Sequence, residues 1–237
     1  MTDGLKIAAL VPVYNEAETL GPLLERLLPF VERVLLVDDG SNDGSGDIAA
    51  AWQFRQPEKI RLYRRPNGGK GMALRAGFSR LLLEEFTHIV TLDADLQHRP
   101  EDLPHFRAEA VRTRAELVIG TRLHQKEGYP LARYRANAVG DWWISRILKY
   151  VVEDAQSGYR LYESNFLRRL ELHEQGFAIE TELLVRMIRL GGRIAYVPIP
   201  PIYDGVGSHF RPIMDTYKIC VAFSNALERL QDDQGRM

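Results

Sequence analysis

Short apolar runs alternate with segments of helical periodicity over the first half of the chain, and this alternation limits the folds open to it. The apolar runs are almost continuous, which is typical of strands buried on both faces of a parallel sheet. Strands are predicted over residues 7–13, 33–38, 59–64, 88–93 and 115–120. The intervening segments carry apolar residues at i, i+3 or i+4 spacing, which indicates helices. The pattern predicts an α/β fold with a mostly parallel central sheet and helices on both faces.

The second half is less regular but contains the same kinds of element. Helices are predicted over residues 133–152 and 180–190, and strands over 157–162 and 193–200. No internal repeat, low-complexity tract or linker rich in Gly, Ser or Pro divides the chain. We therefore expect one domain that ends in a C-terminal helix, residues 212–237.

Charge and cysteine content exclude several classes of protein. Lys and Arg number 31 against 32 Asp and Glu, a formal net charge of −1, so no nucleic-acid partner is expected. The single cysteine, Cys220, cannot form an internal disulfide, which favours a reducing compartment such as the cytoplasm. No stretch approaches the ~18 apolar residues of a membrane span. The N-terminus lacks the features of a secretory signal, so we expect a soluble or peripheral protein.

Polar clusters follow four of the predicted strands at the point where each strand ends. Their sequences are PVYNE, DDGSNDGS, RPNGGKG and DADLQH. Any one of them alone is ordinary turn chemistry. Because ligands of open parallel sheets bind beyond the carboxyl ends of the strands, four clusters at one edge predict a binding site there.

The last of these clusters indicates a divalent cation. If the strand continues through it, Asp93 and Asp95 point to the same side and repel each other unless a positive charge lies between them. With Gln97 they offer only oxygen ligands, which suits Mg²⁺ or Mn²⁺ shared with a diphosphate.

Asp39 is a candidate acceptor for hydrogen bonds from a base or ribose, and Lys70 is a candidate phosphate contact. Dinucleotide, Walker, EF-hand and zinc motifs are absent.

The ordered motifs VPVYNE, VDDGSNDGS, NGGKG, DADLQHRPED and DAQSGYRLY resemble those of the family 2 glycosyltransferases, which have the GT-A fold. The closest resemblance is to the dolichyl-phosphate mannose synthase-like, or polyprenyl-phosphate glycosyltransferase, branch. It covers about residues 8–208. It implies a single GT-A domain with a nucleotide-sugar-binding half (1–122) and an acceptor-binding half (123–211). The implied reaction is metal-dependent, inverting transfer from a GDP- or UDP-linked sugar to a polyprenyl phosphate.

The resemblance also implies roles for individual residues. The nucleotide and sugar diphosphate would contact Pro12, Tyr14, Glu16, Val37, Asp39, Asp93, Ala94 and Asp95. Asp93, Asp95 and Gln97 would bind Mg²⁺ or Mn²⁺, and Arg122 would lie near the acceptor phosphate. Family members often carry Arg and Lys where this chain has Tyr203 and His209, which leaves Arg211 as a substitute.

The nature of the acceptor leaves two mechanisms open. A polyprenyl phosphate is already anionic and needs no strong base, whereas a hydroxyl acceptor needs a carboxylate, for which Glu180 and Glu182 are candidates. Glu182 is taken as the third catalytic residue beside Asp95 and Arg122, although acidic residues are also common in the first turn of a helix. The alternatives are transfer to a hydroxyl of a glycan or small molecule and a non-catalytic nucleotide-sugar-binding subunit.

A polyprenyl acceptor also implies contact with a membrane. Residues 122–149 contain six Lys and Arg against two acidic residues. Trp142 and Trp143 lie within this segment, as suits a peripheral helix on the inner membrane face, or else they pack into the core. Arg133 and Arg135 are further candidates for the acceptor phosphate. A homo-oligomer is also possible.

Overall fold

A computed structural model describes residues 4–124, 131–174, 176, 179–202 and 223–224. In helical residues 132, 133 and 136 it describes the backbone alone. Most of the predicted C-terminal helix (212–237) and the positions Tyr203, His209 and Arg211 lie outside the described residues.

A seven-stranded sheet forms the centre of the fold, in the order β3-β2-β1-β4-β6-β5-β7. The strands are β1 (Ile7–Val13), β2 (Arg33–Asp38), β3 (Ile60–Arg64), β4 (His88–Thr91), β5 (Leu117–Thr121), β6 (Arg160–Glu163) and β7 (Ile194–Pro198). Only β6 is antiparallel to its neighbours, β4 and β5. All other pairs are parallel, which confirms the mostly parallel sheet.

Helices cover both faces of this sheet, as predicted. They are α1 (Leu20–Leu27), α2 (Ser45–Arg55), α3 (Lys70–Leu81), α4 (Leu103–Thr113), α5 (Leu131–Leu148), α6 (Ser164–Leu167) and α7 (Ile179–Arg189). Apolar side chains of α1, α2 and α4 pack on one face, and those of α3, α5, α6 and α7 on the other. Because successive residues of a strand point to opposite faces, β1 contributes to both layers, Ala9 and Val11 to the first and Ala8 and Leu10 to the second. Within the described residues, no helix is long and apolar enough to cross a membrane.

The predicted halves contribute strands to the same sheet. β6 and β7 come from the segment predicted to bind the acceptor, and β6 lies between β4 and β5 of the other half. The division at residue 122 is therefore a prediction about binding sites, and it does not coincide with separate sheets.

The first helix is shorter than its apolar pattern suggests. Helical periodicity begins at Glu16, but α1 begins at Leu20. The intervening backbone is bound elsewhere, since the N–H groups of Glu16 and Ala17 donate to the side chains of Ser45 and Asp43. The loop after β1 is thus hydrogen-bonded to the loop after β2. Because these bonds hold Glu16 and Ala17 in the loop, α1 begins only at Leu20.

Gly77 allows α3 to approach β1 closely. A Cβ added there would lie 2.1 Å from Cδ1 of Leu10, which is closer than any real contact. Gly140, in α5, is the opposite case, because a Cβ added there would meet nothing within 4 Å.

We expect Gly77→Ala to lower the free energy of unfolding by about 1–3 kcal/mol, the usual cost of overpacking a core. Gly140→Ala, the matched control, should raise it by about 0.5–1 kcal/mol because alanine favours the helix. Urea unfolding of both variants measures the difference. The cost of Gly77→Ala should shrink in a Leu10→Val background, and an unchanged cost would show that the contact with Leu10 is not its origin.

Candidate functional site

The carboxyl ends of β1, β2, β4 and β5 meet at one edge of the sheet because these strands share a direction. The strand order also reverses between β1 and β4, and such switch points are where open α/β sheets bind ligands. The predicted nucleotide residues gather there. Pro12 and Val37 are direct partners in the β1–β2 register, and Tyr14, half exposed, follows β1.

Glu16 lies in a strongly acidic environment at this edge. Burial raises the pKa of its carboxyl group above the usual value, and the negative charges of Asp95 and Asp93 raise it further, while a hydrogen bond from Thr19 opposes the shift. The site therefore carries an excess of negative charge in the absence of a bound cation.

Asp39 is buried at the end of β2 and holds the glycine-rich turn that follows β3. Its Oδ2 accepts a hydrogen bond from the N–H of Gly69 at 2.7 Å, and both its oxygens accept from the N–H of Gly68 at 3.2 Å. Arg65 also donates to Oδ1. The structure thus gives Asp39 an internal role, and its predicted contact with the nucleotide stays a prediction.

The strand before the acidic cluster ends earlier than predicted. β4 stops at Thr91, so Asp93 and Asp95 lie in a turn and the argument from alternating strand faces was wrong. The turn is stabilised locally, because the N–H of Gln97 donates to Asp95 Oδ1 at 3.0 Å and Leu96 adopts a φ of 62°. The two carboxylates still interact, since burial and then the charge of Asp93 raise the pKa of Asp95.

Lys70 bridges two carboxylates beside this turn. Its Nζ lies 2.6 Å from Oδ1 of Asp93 and 2.8 Å from Oε1 of Glu180. Burial by itself would lower the pKa of Lys70, but the two adjacent negative charges raise it above the usual value. Gly158 packs against the bridge, where a Cβ would lie 2.8 Å from Asp93 Oδ2 and 3.0 Å from Lys70 Nζ. The predicted phosphate contact is therefore an internal counter-ion in this structure.

His98 is buried and stabilises the same turn through a hydrogen bond to its backbone. The N–H of Asp93 donates to its Nδ1 at 3.2 Å, and its ring lies 5.3 Å from that of Tyr159 between centroids. Burial lowers the pKa of His98 to about 4. The imidazole is thus neutral near pH 7, and because Nδ1 accepts, the ring proton is on Nε2.

Arg122, at the end of β5, is buried and paired with Asp154. Nε and Nη2 donate to the two carboxylate oxygens at 2.8 and 2.7 Å, and the backbone N–H of Arg122 donates to Oδ2 at 2.9 Å. Burial by itself would raise the pKa of Asp93. The charge of Lys70 and, to a smaller extent, the charge of Arg122 lower it below the usual value. The predicted acceptor arginine therefore lies at the same edge as the acidic turn.

The two glutamates of α7 differ in their surroundings. Glu182 is fully buried and accepts from the N–H groups of His173 and Glu174 and from Arg186 Nε. These bonds fix the segment before α7, so they give no support to the predicted catalytic role of Glu182. Glu180 is the one joined to Asp93, through Lys70.

The two tryptophans of α5 also differ. Trp142 is 65% exposed, whereas Trp143 packs against Phe223 with ring centroids 4.9 Å apart. Leu131, Arg135, Val139, Trp142 and Arg146 follow one another at spacings of three or four, and all are exposed, so α5 presents one mixed apolar and basic stripe. The side chain of Arg133 lies outside the described part.

The donors around the acidic turn fit a hard divalent cation. No group of three or more His, Cys, Asp or Glu suited to a metal occurs among the described residues, so amide or substrate oxygens must complete any coordination. Asp95 and Gln97 are oxygen donors two residues apart. Burial and then the charge of Asp93 raise the pKa of Asp95, and burial followed by the charges of Asp95 and Asp93 raises that of Glu16. Asp93 is less free, because Lys70 and Gly158 flank its two oxygens.

Sequence reasoning missed Asp141, Asp154, Gly158 and His98 as parts of this site. The motif DAQSGYR contains Asp154 and Gly158, and the motif DADLQH ends in His98, but both motifs were used for the resemblance or the acidic pair and not for these contacts. Asp141 carried no signal at all, because it lies within a helix predicted to be interfacial.

Comparisons with known proteins agree with this geometry. The chain is 36% identical over 203 residues to the undecaprenyl-phosphate mannosyltransferase of Micrococcus luteus, covering 82% of this chain and 83% of that protein. It is 30% identical over 200 residues to the polyprenol monophosphomannose synthase of Mycolicibacterium smegmatis, covering 80% and 75%.

Solved structures share the fold at lower identity. Mannosyl-3-phosphoglycerate synthase from Rubrobacter xylanophilus matches with a TM-score of 0.71 and 19% identity over 99% of this chain and 76% of that one. Glucosyl-3-phosphoglycerate synthase from Mycobacterium tuberculosis, solved with Mn²⁺ and UDP-glucose, matches with a TM-score of 0.70 and 18% identity over 94% and 80%.

A family model places the chain more directly. The model described as glycosyl transferase family 2 matches residues 8–177, which include the acidic turn, Arg122 and the Asp154 segment. The resemblance inferred from the motifs is confirmed at this level. The chain belongs to glycosyl transferase family 2 and is a glycosyltransferase of the GT-A fold.

Proposed function

We propose that this chain is a metal-dependent inverting glycosyltransferase that moves a sugar from a GDP- or UDP-linked donor to a polyprenyl phosphate. The observation that carries the proposal is the meeting of an acidic turn and a buried arginine at one sheet edge. The turn (Asp93, Asp95) suits the diphosphate side of a donor with its cation, and Arg122 suits an anionic acceptor. Two relatives named for polyprenyl-phosphate substrates support the acceptor class.

On the donor side, the residues of this chain bind and orient. Pro12, Val37 and Asp39 line the nucleotide end, and Asp93 to Asp95 lie where the sugar diphosphate is expected. Asp95 and Gln97 would hold the cation, which when bound stabilises the negative charge of the departing nucleoside diphosphate. A related fold solved with Mn²⁺ and UDP-glucose supports this arrangement. Lys70 keeps Asp93 ionised and in place beside them.

On the acceptor side, a phosphate acceptor must be positioned by the site but does not need a general base. A phosphate oxygen is anionic near neutral pH, so the site must bring it in line with the anomeric carbon. Arg122 and the exposed Arg135 are the groups for this task, and Arg133 remains a predicted third. A hydroxyl acceptor would need a carboxylate instead. Glu182 is committed to its own segment, and Glu180 Oε2, which is buried without a hydrogen-bond partner in the described structure, is the better candidate for that alternative.

The stripe on α5 supports contact with a lipid surface. Its exposed apolar side chains alternate with Arg135 and Arg146, a pattern suited to an interface with anionic headgroups. A polyprenyl chain stays in the bilayer, so the acceptor site must come to the membrane surface. We propose that α5 makes this contact, on the cytoplasmic side.

Asp95→Ala should abolish transfer and weaken Mn²⁺ binding, measured by electron paramagnetic resonance, while chelation should abolish transfer reversibly. Since burial and the charge of Asp93 disfavour ionised Asp95, the variant should unfold at the same or higher urea concentration than wild type. Asp47→Ala, which removes an exposed aspartate of α2 that pairs with Arg64, is the matched control and should change neither transfer nor Mn²⁺ binding. Full transfer in excess chelator would contradict the metal assignment.

Asp39→Asn should weaken donor binding by about 1–3 kcal/mol, the cost of losing a buried charged acceptor. Calorimetric titration with GDP and UDP measures it and also identifies the base. Asp38→Asn is the control, because Asp38 is the adjacent buried aspartate and accepts instead from the N–H of Ser41. Unchanged affinity in Asp39→Asn, or an equal loss in both variants, would contradict the contact between Asp39 and the nucleotide.

Membrane contact should depend on Trp142. Wild-type protein should co-sediment with anionic liposomes at low salt and be released as salt rises. Trp142→Ser should weaken this by about tenfold or more, because burial of a large apolar side chain contributes roughly 1.5–3 kcal/mol. Phe54→Ser, which removes an 88% exposed aromatic from α2, should have no effect. Protein that stays in the supernatant at low salt would favour a soluble acceptor.

A further inference from the structure

Residues 152–157, here called the Asp154 loop, connect α5 to the centre of the site. Asp154 is fully buried, adopts a φ of 50° and holds the guanidinium of Arg122 through both carboxylate oxygens. A positive φ is uncommon for a residue with a side chain and persists only where other contacts hold it. Those contacts identify what fixes Arg122.

Asp141, a buried aspartate of α5, supplies them. Its Oδ2 accepts from the N–H of Asp154 at 2.8 Å and its Oδ1 from the N–H of Ala155 at 2.9 Å. One carboxylate thus binds two consecutive backbone N–H groups at the point of the unusual φ. Ser145, one turn further along α5, accepts from the N–H of Val152 at 2.9 Å.

The opposite side of the Asp154 loop is held by Arg160 of β6. Its guanidinium donates to the carbonyls of Ala155, Ser157 and Glu180 at 2.6, 2.7 and 2.7 Å. With that side fixed to the sheet, the direction of the Asp154 carboxylate depends on the two bonds to Asp141.

We propose that Asp141 is a positioning residue that sets the orientation of Arg122 through Asp154, and that it thereby sets the affinity for the anionic acceptor. The second part rests on the proposed function, in which Arg122 binds the acceptor phosphate. Among the described residues, the Asp141 carboxylate accepts hydrogen bonds from the N–H groups of Asp154 and Ala155 and not from the Arg122 side chain, so its hydrogen-bonded connection to Arg122 runs through Asp154. Because it precedes Trp142 on α5, the same helix carries the proposed lipid contact and the support of Arg122.

The first test observes Arg122 directly, in full-length protein labelled with ¹⁵N-arginine. The Nε–H signal, assigned by its loss in Arg122→Lys, should exchange slowly with solvent because it is buried against Asp154. Asp141→Asn, which keeps the size but places an NH₂ group against one N–H, should speed this exchange at least tenfold, and Asp141→Ala more. Unchanged exchange in folded Asp141→Asn protein would overturn the proposal.

Two controls separate positioning from general loosening. Glu163→Gln alters a carboxylate that likewise accepts from two consecutive N–H groups, those of Asn165 and Phe166, away from the site. Ser145→Ala removes the other bond between α5 and the Asp154 loop. Both should change the exchange by less than twofold. An effect of Ser145→Ala equal to that of Asp141→Asn would overturn the specific role of Asp141.

The second test measures transfer to a short-chain polyprenyl phosphate. Asp141→Asn should raise the KM for the acceptor about tenfold and leave the KM for the donor within twofold. In an Arg122→Lys background the same substitution should have no further effect on the acceptor. If Arg122→Lys itself leaves the acceptor KM unchanged, the proposed function of Arg122 fails, while the exchange measurement still decides whether Asp141 positions it.

Discussion

The charge of Lys70, placed between Asp93 and Glu180, is the interaction on which the site depends. The turn after β4 brings several carboxylates together at the edge of a largely apolar sheet, and unpaired buried charges are costly. Lys70 neutralises part of this charge from the first turn of α3 and joins that helix to the turn after β4 and to α7. Asp95 and Glu16 have no such counter-ion in the described contacts, and their pKa values are raised by burial and by neighbouring carboxylates. In the proposed function, a donor with its cation would neutralise this part of the site.

The same edge of the sheet contains a negatively charged region and a positively charged group close to each other. The turn after β4 carries surplus carboxylates, and the end of β5 carries a buried guanidinium; in the proposed function these are the diphosphate side and the acceptor side. Gly158 and Asp154, four residues apart in the chain, touch Asp93 on one side and Arg122 on the other. A single short segment, held at its backbone by Arg160, therefore keeps the two charged regions apart and in fixed relation.

Much of this architecture could be predicted from the sequence, for physical reasons that differ between elements. β1 and β2 were predicted to the residue because strands buried on both faces are nearly pure apolar runs. α1 and β4 were misjudged at the ends facing the site, where side-chain bonds such as Ser45 to Glu16 and Asp95 to Gln97 override periodicity. The partners of charged residues were beyond prediction, because Lys70 and Glu180, or Asp141 and Asp154, meet only through the tertiary fold. Trp142 and Trp143 show the same limit, since Trp142 is exposed whereas Trp143 is partly buried against Phe223, a contact that forms only in the tertiary fold.

The position of β6 has a consequence for how the chain can fold. β5 and β7 are connected to the rest of the sheet only through β6, which is synthesised after β4 and β5. Until residues 160–163 arrive, β4 has an unsatisfied edge and β5 has no partner strand, because β7 is synthesised later still, and such edges are prone to pair with other chains. Insertion of one strand between two earlier ones is a long-range event and therefore slow. The sheet edge that brings the acidic turn after β4 beside Arg122 at the end of β5 is therefore complete only after the strand that carries Arg160 has closed the gap.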